Sequence, residues 1–222
     1  MSRKVEVFIP CFIDQLYPET AFNTIKLLER AGCEVIYNEA QTCCGQPAYN
    51  AGFWDEAKEV GAKFLKDFSD ANYIVSPSAS CVGMVKSGYS DLFTNSIEHN
   101  TCRTLQRNII EISDFLVNVV KKEYFGAELV GTAVYHDSCS ALRECKIKDE
   151  PRKLLSHVGG LEIVAMRDQE TCCGFGGSFA VKFEGISSAM AEQKIKNAQA
   201  VHADYIISTD ASCLLQLQAY ID

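Results

Sequence analysis

Thr42-Cys43-Cys44-Gly45 recurs as Thr171-Cys172-Cys173-Gly174, and this repetition decides how the 222-residue chain is read. Cys11 stands 32 residues before Cys43, and Cys139 stands 33 before Cys172. A further Cys follows each copy in a similar setting, Ser76-Pro77-Ser78-Ala79-Ser80-Cys81 in one half and Ser208-Thr209-Asp210-Ala211-Ser212-Cys213 in the other. Eight of the 11 cysteines therefore form two sets of four in the same order. Thiols can serve as small apolar core residues, but packing gives no reason to place eight of them in matching patterns. Cys33, Cys102 and Cys145 lie outside the pattern and read as ordinary core thiols.

Outward from each motif the elements alternate. The run Lys4-Val5-Glu6-Val7-Phe8-Ile9-Pro10 predicts a buried strand that ends at Cys11. Apolar residues at helical spacing predict a helix over 19–31, closed by Gly32. Glu34–Tyr37 is a second strand, residues 53–69 a helix, and Tyr73–Val75 a third strand. A helix follows over 80–93, then one or two over 96–121 with Ile109, Ile110, Phe115 and Leu116 on the apolar face. After Gly126 and Gly131 the order restarts: strand Thr132–Tyr135, helix Pro151–Val158 ended by Gly159-Gly160, strand Leu161–Val164, helix 185–202, strand Tyr205–Ile207, and a final helix.

This alternation predicts an α/β fold of two similar lobes from an internal duplication, each a small parallel sheet flanked by helices. The cysteines align the halves at an offset of about 130 residues, which places the lobes at 1–127 and 128–222. The second copy reaches Asp222 without a counterpart of the 109–120 segment, as either a truncated chain or a naturally shorter form would.

A net charge of −8 with no basic run gives nucleic-acid binding no electrostatic support. No segment approaches the ~18 uninterrupted apolar residues of a membrane span. The opening residues run directly into a strand pattern rather than a signal peptide, so the chain reads as cytoplasmic. Cytoplasmic thiols stay reduced, and spaced Cys sets there point to metal, cluster or redox chemistry rather than disulfides.

Each patterned Cys follows a predicted strand, and ligands of open parallel sheets sit outside the carboxyl ends of the strands. Three strand-end loops can therefore gather Cys11, Cys43, Cys44 and Cys81, and three others Cys139, Cys172, Cys173 and Cys213. Thiolates gathered in one place repel one another unless a cation or cluster sits among them. Four soft sulfur ligands suit an iron–sulfur cluster or zinc. The residues single out no catalytic group.

The two Cys-Cys-Gly sets resemble the Cys-Cys-Gly domain family of iron–sulfur proteins over the whole chain, and His136-Asp137-Ser138-Cys139 with Cys172-Cys173-Gly174-Phe175-Gly176-Gly177 resembles its lactate-utilization branch. The resemblance implies an iron–sulfur electron-transfer subunit of a multi-subunit oxidoreductase that oxidises L-lactate to pyruvate. Its implied partners are other redox subunits carrying ferredoxin-type clusters. The implied cofactor is a 4Fe–4S cluster on the eight cysteines, with zinc allowed in one site. A structural zinc protein and a disulfide-reducing subunit of the heterodisulfide reductase type stand as alternatives. The family's fullest members end each set with Cys-x-x-Cys, but here Ser78 and Asp210 replace the first Cys of that pair. Four thiolates per site remain, and Asp210 could add an oxygen ligand. His136, three residues before Cys139, is open to two readings: it orients a cluster sulfur, or it caps a strand end.

Overall fold

The computed structural model describes residues 2–94 and 97–221, so the first residue of the helical stretch predicted from 96 lies outside it. Arg3–Val7 (β1) is the central strand of the first sheet. It alternates its side chains between two cores. Val5 and Val7 pack with Leu28 and Phe115, while Phe8, just past the strand, packs with Phe64, Leu65 and Ile74 on the other side. Covering both faces is what parallel sheets require. Cys33–Tyr37 (β2) and Ile74–Ser76 (β3) pair with β1 in parallel, and Ile109–Glu111 (β4) pairs with β3, giving the order β2-β1-β3-β4.

Helices carry the crossovers. Cys11–Leu16 (α1) and Pro18–Arg30 (α2) follow β1. Pro18 sits at the first helical position, where its missing N–H costs nothing. The Gly32 N–H bonds the Glu29 carbonyl at 2.8 Å as the chain turns out of α2. Gln46–Ala51 (α3) and Trp54–Asp67 (α4) connect β2 to β3. Residues 79–92 form α5, whose middle turns widen to a π-helix over Met84–Gly88. His99–Asn108 (α6) precedes β4, and residues 112–120 (α7) follow it.

Among the described residues the second sheet repeats the first with one strand fewer. Glu128–Tyr135 (β5) is central, flanked in parallel by Gly159–Val164 (β6) and Tyr205–Ile207 (β7), in the order β6-β5-β7. A short π-helical turn Ala141–Cys145 (α8) and Asp149–Leu155 (α9) lead to β6. Ser178–Lys182 (α10) and Glu184–Gln199 (α11) lead to β7, and Ala211–Ile221 (α12) ends the described chain. The α4 and α11 helices match residue for residue at a spacing of 130: Gly61 with Ala191, Leu65 with Ile195, Phe68 with Ala198. Mixed α/β character with two parallel sheets in similar lobes is thus the observed fold.

Three local expectations change. Ile109 and Ile110 belong to β4 and not to a helix, because a short apolar run cannot be assigned by periodicity alone. Their partners Ile74 and Val75 decide the matter. Gly159 and Gly160 open β6 instead of merely stopping α9, and β5 shifts register opposite them between Glu128 and Gly131. The short helices α3 and α10, directly after the two Cys-Cys-Gly motifs, were not expected. Among the described residues no helix is long and apolar enough to cross a membrane.

Candidate metal centre

Each lobe delivers its cysteines from the ends of three strands. In the first lobe Cys11 begins α1 after β1, Cys43 and Cys44 lie in the loop after β2, and Cys81 lies in α5 after β3. In the second, Cys139 follows β5, Cys172 and Cys173 follow β6, and Cys213 lies in α12 after β7. All eight line one cleft of about 350 Å³ between the lobes. None is in a disulfide. Phe12 and Phe175 meet edge to face at 5.9 Å between ring centroids, and both line the same cleft.

Within each set the sulfurs form a hydrogen-bonded chain. Cys43 is bonded to Cys11 and Cys44, and Cys44 to Cys81. Cys172 is bonded to Cys139 and Cys173, and Cys173 to Cys213. The hydrogen bond from Cys11, then that from Cys44, holds the Cys43 thiol well below its ordinary range. Cys139, then Cys173, do the same for Cys172. Their donors Cys11 and Cys139 are pushed up, first by those same bonds. One thiolate per set is therefore favoured before any metal arrives, and thiolate is the form that binds metal.

The glycine of each motif has a definite task. The Gly45 N–H donates to Cys43 Sγ at 3.3 Å, and the Gly174 N–H to Cys172 Sγ at 3.4 Å. Both glycines have φ near +90°, +85° and +92° respectively. A Cβ on Gly45 would lie 3.0 Å from the Ala57 carbonyl oxygen, and one on Gly174 only 2.6 Å from that of Ser187. A side chain would push the amide away from its sulfur, so the turn needs glycine.

Ser78 and Asp210, which stand where the fullest pattern has a fifth Cys, meet each other. Ser78 Oγ donates to Asp210 Oδ1 at 3.4 Å, the Ser80 N–H donates to the same oxygen at 3.1 Å, and Ser138 Oγ donates to Oδ2. Both carboxylate oxygens are thus engaged, and the bond joins the two lobes across the cleft floor. Asp210 is buried, and that burial raises its pKa. Asp137 is held in a two-pronged ion pair by Arg152, with N···O distances of 2.7 and 2.6 Å, which pins the loop into Cys139.

The two sites differ in what stands behind the sulfurs. In the first lobe Phe8 and Phe64 pack edge to face at 5.0 Å. The matching positions of the second lobe, three residues before Cys139 and 130 after Phe64, hold His136 and Lys194. His136 is fully buried, and neither ring nitrogen has a hydrogen bond of normal geometry, although the Gln169 carbonyl lies close enough to favour its proton. Burial and then the Lys194 charge lower its pKa to about 4, which keeps the imidazole neutral. A nitrogen of His136 and the sulfurs of Cys173 and Cys213 all lie within 4.8 Å of one another. Lys194 Nζ is buried too and donates to the Asp168 and Gln169 carbonyls at 2.5 and 3.1 Å.

Cys33, Cys102 and Cys145 are buried away from the cleft, and Cys145 donates its S–H to the Ala79 carbonyl at 3.3 Å. The sequence reading missed Lys194 and Ser138. Aligning the halves through α4 and α11 would have shown a lysine opposite a core phenylalanine.

The donor set fits a soft or borderline metal: sulfur-rich, with one neutral imidazole and a buried cation to offset thiolate charge. The cysteine-rich domain family, CCG, matches this chain twice, over residues 5–86 and 133–218. The chain belongs to the CCG family. Each CCG match spans one cysteine set and the strand ends that deliver it. The chain is similar to lactate utilization protein A of Geobacillus kaustophilus strain HTA426, with 46% identity over 215 residues, covering 96% of this chain and 90% of that protein. It is 44% identical to the protein of that name from Geobacillus thermodenitrificans strain NG80-2, with the same coverage. For the one from Anoxybacillus flavithermus strain DSM 21510 / WK1 the figures are 42% over 219 residues, 98% of this chain and 92% of the relative.

Proposed function

We propose that this CCG protein is an iron–sulfur electron-transfer subunit of a multi-protein oxidoreductase that converts L-lactate to pyruvate. The observation that carries the reading is the convergence of two four-cysteine sets on one cleft. Cys11, Cys43, Cys44 and Cys81 would hold one metal centre, and Cys139, Cys172, Cys173 and Cys213 the other. An iron–sulfur cluster supplies one-electron transfer when bound. The protein's own part is to keep one thiolate per set ready, to aim the Gly45 and Gly174 amides at sulfur, and to hold the sets side by side through Asp210. Lactate oxidation releases two electrons and two protons, so the lactate-binding chemistry and the acceptor belong to partner subunits with ferredoxin-type clusters. The lactate assignment rests on the relatives' names.

The test is anaerobic reconstitution of the full chain with iron and sulfide. Iron and acid-labile sulfide should be retained with a visible charge-transfer absorption that bleaches on reduction, and Cys43→Ser and Cys172→Ser should each remove part of it. Negligible iron with no such absorption would sink the cluster reading. Reconstituted protein whose absorption ignores lactate in the presence of its partner subunits would sink the lactate reading alone.

A further inference from the structure

We propose that His136 is a nitrogen ligand of the metal in the second lobe, which makes that centre a mixed nitrogen–sulfur site beside an all-sulfur one. The ion or cluster metal would be of the zinc or iron class, which takes imidazole and thiolate together. The inference rests on metal binding by the second cysteine set, and neither on lactate nor on cluster type.

Three observations carry it. First, a nitrogen of His136 lies within 4.8 Å of the sulfurs of Cys173 and Cys213, and these lie within 4.8 Å of each other. Ligand atoms around one tetrahedral metal, with bonds of roughly 2.0–2.3 Å, stand about 3.5–4 Å apart. The three need only close slightly, and Cys172, bonded to Cys173, is next in line as the fourth. Second, His136 is 0% exposed and neither ring nitrogen has a hydrogen bond of normal geometry, while the Gln169 carbonyl close to it already accepts from Lys194 Nζ and the Asp137 N–H. A buried polar atom left so costs about 1–3 kcal/mol, and coordinating an ion is one way to offset that cost. Third, the equivalent place in the first lobe is Phe8, packed on Phe64. A site needing only core volume already has its solution there. Asp210 does not compete as the non-sulfur ligand, because its two oxygens already accept three hydrogen bonds from Ser78, Ser80 and Ser138.

Cobalt(II), as the only metal added to the full-length apoprotein, separates the outcomes. With ring-labelled histidine, one of the chain's 4 histidines should show large paramagnetic shifts as cobalt–thiolate absorption grows. That signal should vanish in His136→Phe, which installs the first lobe's residue, and in His136→Gln should the first variant fold poorly. Affinity for the second cobalt should fall by about 10-fold or more, since even outer partners of ligands contribute that much. Cobalt–thiolate bands with all histidines unshifted would overturn the proposal. So would the absence of cobalt binding, if the iron-loaded protein also shows no nitrogen hyperfine coupling at its reduced cluster. Either result leaves the iron and sulfide content, which tests the proposed function, to be read independently.

Discussion

The two lobes share a frame and differ in filling. Both place a Cys, a Cys-Cys-Gly turn and a later Cys at the ends of three parallel strands, and both turn a glycine amide onto sulfur. Behind the sulfurs the first lobe packs Phe8 on Phe64, and the second sets His136 beside Lys194. The first sheet carries a fourth strand, β4, that has no counterpart in the described part of the second. The frame is the part of the design that metal chemistry demands of both sites. The filling is where each site gets its own stability and electrostatics: the first lobe draws on core packing, while the second keeps a polar interior in which Lys194 is held by two carbonyls and His136 has no hydrogen bond of normal geometry.

The comparison breaks most easily at its largest contrast. Phe64→Ala removes a ring from a well-packed core and should lower unfolding free energy by about 3–5 kcal/mol. Lys194→Met removes a charged donor to two carbonyls and should cost about 1.5–3 kcal/mol. Chemical denaturation of the apoprotein measures both, and an equal or reversed order would mean the second lobe is also held by packing.

Next come the turns. Gly174→Ala combines a left-handed backbone penalty with a 2.6 Å approach to the Ser187 carbonyl, about 2–4 kcal/mol together. Gly45→Ala meets Ala57 at 3.0 Å, and the backbone penalty alone gives about 1–2 kcal/mol. Thermal melting that ranks Gly45→Ala as the worse variant would show that the two turns are not built alike.

The bond between lobes is a smaller effect. Asp210→Ala strands two buried hydroxyls and a half-buried amide and should cost about 2–3 kcal/mol, against about 1 kcal/mol for Ser78→Ala, which caps α5 through the Cys81 N–H. Equal losses would remove Asp210 from its central place.

The effect that is smallest per pH unit belongs to β4. Glu111 ends that strand, is fully buried, and has a pKa pushed up to about 7 chiefly by burial. The unfolded carboxyl, near 4.5, gives up its proton first. Between those values the unfolded state holds fewer protons, so stability should fall as pH rises from about 4.5 to 7, with a slope of at most about 1 kcal/mol per pH unit from this group. Glu111→Gln keeps an acceptor for the Ser113 N–H and should flatten that slope. Denaturation midpoints across this pH range that fall just as steeply in the variant would reject the assignment.

Much of this was legible in residue order. The strands that lead to cysteines were short, apolar and followed by the motif, so their type was clear even where an end moved by as much as four residues, as at the start of β5. β4 was not legible, because three apolar residues between helical stretches carry no period of their own and become a strand only by pairing with Ile74, Val75 and Ser76. The short helices α3 and α10 were hidden for a similar reason: a single turn after a glycine has too few residues to show a face.

Repetition and spacing in the chain sufficed for the duplication and the α/β class, and they picked out the eight cysteines that line the cleft, since thiols at matching places leave a pattern that sequence can record. Folding alone decided that both sets open onto one cleft, that Ser78 and Asp210 bond to each other, and that a nitrogen of His136 stands within 4.8 Å of the sulfurs of Cys173 and Cys213. These are contacts between residues as far as 132 positions apart. Pattern along a chain reports what each residue is and how it repeats; only packing in three dimensions sets what it touches, and a ligand is defined by touch.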